Sequence, residues 1–185
     1  MRRRGLLLIA PAAMLAGCSG PAPHYYRLAP QPGAVHPGGG LRIGVRNIGV
    51  PAGLSGNGLP MPGNAYDANS FANDLWTASL GDMLQTTMVQ NLSQRLPDDI
   101  VLASGGSVGA PPDIYVEINV LAFSPDATGS IALQAQLATR HVGGERDWQV
   151  QKFAASAAGG AKPETIAAAM SALWGQAADA VAGMV

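Results

Sequence analysis

The spacing of apolar residues changes several times along this chain, and each change marks an element. Residues 41–50 (LRIGVRNIGV) alternate Leu41, Ile43 and Val45 against Arg42 and Arg46, the period of two of a strand with one buried face. From Asp74 to Leu96 the period lengthens: Trp76, Leu80, Leu84, Met88, Leu92 and Leu96 recur every four residues, with Met83 beside them. That spacing predicts an amphipathic helix, capped by Asn73 or Asp74 and ended by Pro97. Only Pro97 and Asp98 separate it from a further strand over 99–103. Strand, helix and strand then form a βαβ-like unit with parallel strands and a right-handed crossover.

The period next returns to two. Residues 113–123 set Ile114, Val116, Ile118 and Val120 against Tyr115, Glu117 and Asn119, and residues 130–141 set Ile131, Leu133, Ala135 and Leu137 against Gln134, Gln136 and Arg140. Gly143-Gly144 turns the chain into a last strand over 147–156, giving an antiparallel meander with one covered face. Residues 163–183 return to helical spacing through Ile166, Met170, Leu173, Ala177, Val181 and, one residue beyond, Met184. Pro163 suits the first turn of this helix and Glu164 complements its dipole. Two half-apolar helices and a half-apolar sheet must cover one another. The expected fold is an α/β two-layer sandwich: a mixed, mostly antiparallel sheet with two amphipathic helices packed on one face.

The N-terminus follows another rule. Arg2, Arg3 and Arg4 precede the apolar run 5–16 (GLLLIAPAAMLA), and Leu15-Ala16-Gly17-Cys18 closes it. A basic start, a short apolar middle and small residues before a cut site make a secretory signal. The run is about a dozen residues, where a bilayer span takes about 20. Leu-Ala-Gly-Cys matches the bacterial lipobox, in which the cysteine thiol takes a diacylglyceryl group and cleavage between Gly17 and Cys18 exposes it. The plainer alternative is an ordinary secretory signal that happens to end beside Cys18. The cysteine is the only one in the chain, so it has no internal disulfide partner. The expected division is a signal over 1–17, a lipidated N-terminus and Pro/Gly-rich tether over 18–40, and an α/β domain over 41–185. Within the tether, Tyr25-Tyr26-Arg27-Leu28 reads as a short edge strand.

Composition narrows the class. Loss of the signal removes three of the 11 basic residues and none of the 12 acidic ones, so the mature chain is acidic, at a formal charge of about −4. That balance argues against nucleic acid or an anionic membrane surface as a partner held by charge. Charged residues make up 12% of the chain, roughly half the usual share, which is easier to explain if part of the surface is covered by a partner. Residues 51–73 carry Gly53, Gly56, Gly58, Pro60, Pro62 and Gly63. A loop this long is uncommon in a compact domain and is usually functional or disordered.

Candidate chemistry is sparse. Gly105-Gly106-Ser107-Val108-Gly109 matches the nucleophile elbow, with His141 downstream, but Ala110-Pro111-Pro112 cannot open the helix that an elbow requires. The glycines of 53–63 lack the Lys-Ser/Thr of a phosphate loop. His24, His36 and His141 have no metal-ligand spacing. Met83, Met88, Met170 and Met184 fall on helix stripes as core residues, and Glu117 and Asp126 have no carboxylate partner that the sequence places beside them. No catalytic set, cofactor site or metal site is expected.

The lipobox, Tyr25-Tyr26-Arg27-Leu28, the strand 42–50 closed by Pro51, and the helix end Asn91-Leu92-Ser93-Gln94-Arg95-Leu96-Pro97 occur in an order that resembles the ABC-type transport auxiliary lipoproteins. The similarity extends to Ala168-Ala169-Met170-Ser171 in the last helix. It lapses between residues 52 and 75, where that family usually has a Leu-Asp-Arg-Pro type segment and an Arg-Trp before the helix. This chain has a Gly/Pro/Asn-rich segment and Leu75-Trp76 instead. The resemblance implies a non-catalytic lipoprotein subunit of an MCE-type, Pqi-like lipid transport system. In that picture the subunit supports membrane integrity and docks a periplasmic tube at the outer membrane as a homo-oligomeric ring. Cys18 is the functional residue that carries over. Ser19, where an aspartate favours inner-membrane retention in enteric-type bacteria, points to the outer membrane with the domain facing the periplasm. Two rivals remain: a chaperone or pilotin for another envelope assembly, and a periplasmic hydrolase using Ser107.

Overall fold

The computed structural model of the protein describes residues 21–143 and 148–185. The signal, Gly17, Cys18 and the turn residue Gly144 with the start of the last predicted strand lie outside them. Within the described residues the chain forms strands β1 (His24–Tyr26), β2 (Arg42–Val45), β3 (Gly58–Pro60) and β4 (Ser70–Trp76), then helix α1 (Leu80–Arg95). Strands β5 (Ile100–Ala103), β6 (Ile114–Pro125), β7 (Ser130–His141) and β8 (Gln149–Ala158) and helix α2 (Pro163–Ala182) complete it.

The larger sheet has the order β5-β2-β6-β7-β8. β2 pairs in parallel with both β5 and β6, whereas β6, β7 and β8 form the antiparallel meander. The strict alternation of β6 and β7 decides which face is covered. Ile114, Val116, Ile118, Val120, Ile131, Leu133, Ala135 and Leu137 are buried beneath the two helices. The opposite face carries Arg46, Glu117, Asn119 and Gln136, and no element packs over it among the described residues. Each fully buried Leu, Ile or Met adds roughly 1.5–3 kcal/mol of hydrophobic stabilisation. The two-layer arrangement is therefore held chiefly by this seam. Trp174 of α2 reaches across it and donates its indole N–H to the Leu84 carbonyl at 3.0 Å, with its ring 6.4 Å from that of Phe123.

The sandwich expected from the pattern is present, with three corrections. The first concerns α1, which begins at Leu80, six residues later than the stripe suggests. Ser79, not Asn73 or Asp74, caps it by accepting the Asp82 N–H. Residues 70–76 instead form the central strand of a small second sheet, ordered β1-β4-β3. Trp76 keeps the four-residue spacing and is 1% exposed, so burial is the same in either conformation and strand pairing decides.

The second correction is that residues 51–73 contain structure of their own: a 3₁₀ turn at Ala52–Leu54, strand β3 and most of β4. The third concerns the Pro/Gly-rich stretch up to Gly40, whose composition suggested a free tether. β1 pairs in parallel with β4, Leu28 is buried, and the backbone from Ala29 to Leu41 is fastened to the helices and to the β5 approach.

Candidate functional site

Three regions are placed to act: the N-terminal strap of residues 27–41, the loop that joins β3 to β4, and the uncovered sheet face. The N-terminal strap is organised by one residue. Arg95 is the last residue of α1, and its side chain is fully buried. Its Nε donates to Asp179 Oδ1 at 2.6 Å, and Asp179 is itself half-exposed. Its two terminal nitrogens donate to the carbonyls of Gln31 (2.9 Å), Asn91 (3.1 Å) and Gly175 (3.0 Å), and more weakly to that of Pro32 (3.5 Å). The guanidinium thus binds the strap, α1 and α2 at once, using the fixed fork of donors that only arginine provides.

Further bonds extend this attachment. The Ser171 hydroxyl accepts the Ala29 N–H at 3.1 Å, and Asn91 Oδ1 accepts the Gln31 N–H at 2.7 Å. Asp99 Oδ1 accepts the N–H groups of Gly39 and Leu41 at 3.0 and 2.8 Å. Two glycines make room. A Cβ on Gly33 would stand 2.2 Å from the Arg95 guanidinium, and one on Gly175 would stand 2.7 Å from Gln31 Cβ. The strap then enters β2, where Arg42 forks onto Asp113 (2.6 and 2.9 Å) and its backbone N–H adds a third bond at 2.9 Å. These bonds from Arg42, side chain first, hold the Asp113 carboxyl down at about 2.

The loop between β3 and β4 is built differently. Its hydrogen bonds are local: Asn64 Oδ1 accepts the Tyr66 N–H, Asp67 Oδ2 accepts the Asn64 N–H, and the Asn64 and Asn69 carbonyls accept from Asp67 and Met61. Tyr66 is 96% exposed at the turn so formed. Between this loop and β6 lies a groove of about 430 Å³, lined among others by Leu54, Met61, Leu121 and Phe123. A bulge between Val120 and Ala122 leaves Leu121 half-exposed beside it.

On the uncovered sheet face, a shallow depression of about 700 Å³ is floored by Glu117, Asn119, Gln136 and Ala138 and rimmed by Arg46 and Val150. Arg46 pairs with Glu117 at 2.6 Å and lies 4.3 Å over the Tyr115 ring. Its charge is therefore already matched. Glu117, which had no partner legible in the sequence, has this one, and Asp126 accepts the N–H and O–H groups of Thr128 in the β6–β7 turn.

The residues weighed for catalysis are not brought together. Ser107 is exposed in the loop from β5 into β6, and the element after it is a strand, not the helix of an elbow. His24 opens β1, His36 lies in the strap, and His141 ends β7. Among the described residues no three His, Cys, Asp or Glu side chains are grouped to hold a metal ion. No helix among them is long and apolar enough to cross a membrane. Met83, Met88 and Met170 are core residues, and Met184 packs half-buried at the core's edge.

The family model described as ABC-type transport auxiliary lipoprotein component matches residues 26–182. The chain belongs to that family. Its start at Tyr26 coincides with the strap, which makes the strap part of the family's domain. The chain is 29% identical over 146 residues to the intermembrane transport lipoprotein PqiC of Escherichia coli (strain K12), across 76% of each protein. PqiC of Shigella flexneri matches to the same extent. Two crystal structures share the fold. An uncharacterized protein superposes with a TM-score of 0.74 at 20% identity, over 89% of this chain and 99% of that one. Protein XCC0632 of Xanthomonas campestris does so at 0.67 and 14%, over 89% and 94%.

Membership in an auxiliary lipoprotein family agrees with the order of short motifs that suggested it. The role of Arg95 was missed, although a signal was present. Thr87, Asn91 and Arg95 repeat every four residues beside the apolar stripe of α1, and all three are buried. Polar side chains in helical phase with a core face mark a polar network.

Proposed function

We propose that the protein is a non-catalytic, outer-membrane lipoprotein that serves an MCE-type lipid transport system from the periplasmic side. It would be acylated at Cys18 after cleavage behind Gly17, and would seat the outer-membrane end of a periplasmic lipid-conducting tube as a homo-oligomer. The observation that carries this reading is the union of a lipobox with a domain of the transport auxiliary lipoprotein family, matched from Tyr26 to Ala182. The relative's name, intermembrane transport lipoprotein, places that protein's work between two membranes.

Photo-crosslinkers placed at Gln136 and Gln151, on the sheet's open face and edge strand, test the partnership in intact envelopes. Adducts with MCE-domain subunits are expected. Adducts confined to another envelope machine would replace this reading with that of an assembly chaperone. Cys18→Ser should abolish incorporation of labelled palmitate and leave unprocessed precursor, and normal labelling would overturn the anchor. On sucrose gradients the wild type should travel with outer-membrane markers.

A further inference from the structure

We propose that the β3–β4 loop, residues 61–69, is a membrane-contacting foot that rests in the headgroup layer of the leaflet holding the anchor. This inference rests on the reading of Cys18 as the lipidated residue and adds an orientation to it. The argument begins with strand direction. β1 runs parallel to β4, with His24 opposite Asp74 and Tyr26 opposite Trp76. Moving from His24 back toward Cys18 therefore leaves the domain in the same direction as moving from Asp74 back to Ser70 and into the loop.

Reach makes the coincidence quantitative. The six residues from Cys18 to Pro23 precede β1, and a chain that short spans at most about 20 Å. Along β4, Ser70 already stands about 13 Å beyond Asp74 in that direction, at roughly 3.3 Å per residue. The loop continues from there. An acylated Cys18 therefore lies at most about 7 Å past the loop's base, and any bend in the leash brings it closer to the domain.

The chemistry of the loop suits this position. The sequence Met-Pro-Gly-Asn-Ala-Tyr-Asp-Ala-Asn carries one charge, Asp67, whose carboxylate is turned inward onto the Asn64 N–H at 3.1 Å. That bond and the Asn64–Tyr66 bond present Tyr66 outward, 96% exposed, with Met61 38% exposed behind it. Tyr25, on the strand that leads to the anchor, is 62% exposed. A tyrosine with an apolar ring and a polar tip is the side chain favoured at a membrane–water interface. A lone exposed tyrosine on a loop without net repulsion from other carboxylates gains little in water and more at a headgroup boundary. Two attachments also fix orientation where a single acylated residue leaves the domain free to rotate.

The test uses the full-length lipoprotein purified from envelopes and reconstituted into phosphatidylethanolamine–phosphatidylglycerol vesicles containing doxyl-labelled lipid. With Cys18 consumed by the thioether, Tyr66→Cys supplies the only free thiol for an environment-sensitive fluorophore, and Ala68→Cys, also exposed, repeats the measurement one turn residue away. Val142→Cys is the reference. It lies just past the opposite end of the twelve-residue β7 from Ala132, which lines the groove beneath the foot. Probes at 66 and 68 should be quenched several-fold more than the probe at 142 and should shift to the blue.

Equal, weak quenching at all three positions, with one label per chain and vesicle-bound protein, overturns the foot while leaving the anchor intact. Two labels per chain would mean an unmodified Cys18, and anchor and foot would fall together. Shielding at position 66 that requires envelope proteins, and is missing with pure lipid, would assign the loop to a protein partner and also overturn the proposal.

Discussion

Two stretches of this chain have nearly the same composition and are tied into the fold in different ways. Residues 29–40 (APQPGAVHPGGG) and 51–63 (PAGLSGNGLPMPG) are both rich in glycine and proline. The first is bound to residues 60 or more positions away through Arg95, Asn91, Asp99 and Ser171. The second leads into a loop whose bonds are mostly with itself. Glycine and proline set what a backbone can do, and partners elsewhere in the chain decide what it does. Gly33 and Gly38 of the strap are sites of close approach, Gly33 to Arg95 and Gly38 to Asp98 and Asp99. Gly53 and Gly56 face open space.

The most severe way to break the comparison is Arg95→Ala. It leaves the backbone carbonyls of Gln31, Asn91 and Gly175 without the guanidinium donor, and it opens a cavity between α1 and α2. The expected loss is about 2–4 kcal/mol, the scale for stranding buried polar groups, read as a fall in thermal midpoint. Part of the ion pair with half-exposed Asp179 is screened by solvent and is not counted in that figure. Deleting residues 62–68 and closing the gap with a two-residue turn should cost far less.

Glycine substitutions sharpen the same contrast. Gly33→Ala drives a methyl into a guanidinium that cannot retreat, because it is fully buried and held by several bonds, and should cost about 1–3 kcal/mol. Gly53→Ala meets nothing within 4 Å. It should be neutral or stabilise by up to about 1 kcal/mol through the unfolded chain. Chemical denaturation of the two variants side by side measures the difference.

A smaller effect lies where the strap enters β2. Asp113 is held at about 2 by Arg42, whereas an unfolded aspartate titrates near roughly 3.9. A depressed carboxyl contributes stability that is fully present above the unfolded value and is lost as pH falls through the folded one. Asp113→Asn should therefore be less stable than the wild type at pH 6. The gap should close between about pH 4 and pH 2 in acid titrations followed by circular dichroism.

The same comparison explains what could be read from the sequence. The meander and α2 were legible because β6 from Ile114 to Val120, β7 and α2 hold periods of two and of three to four, and burial follows the period there. The start of α1 was misread because Trp76 satisfies a helical stripe and a strand's core face equally well; only pairing with β1 and β3 separates them. β3 has three residues and no periodicity to detect. The strap failed as a tether because its hydrogen-bond partners are far away in sequence, and no local pattern announces them. Of the candidate site, the lipobox motif around Cys18 is legible in the sequence, while the parallel β1–β4 pairing that sets the direction of the β3–β4 loop is not, because a three-residue strand cannot announce it.

The claim that residues 28–41 are fastened into the fold, whereas the 63–69 loop is bonded mostly to itself, is tested most directly by amide hydrogen exchange on the purified protein. The amides of Ala29, Gln31, His36, Gly39 and Leu41 are all hydrogen-bonded to distant residues. Peptides covering 28–41 should exchange slowly, within reach of the rate of α1, while those covering 63–69 exchange orders of magnitude faster. Fast exchange throughout 28–41 would contradict the account and return the strap to a tether.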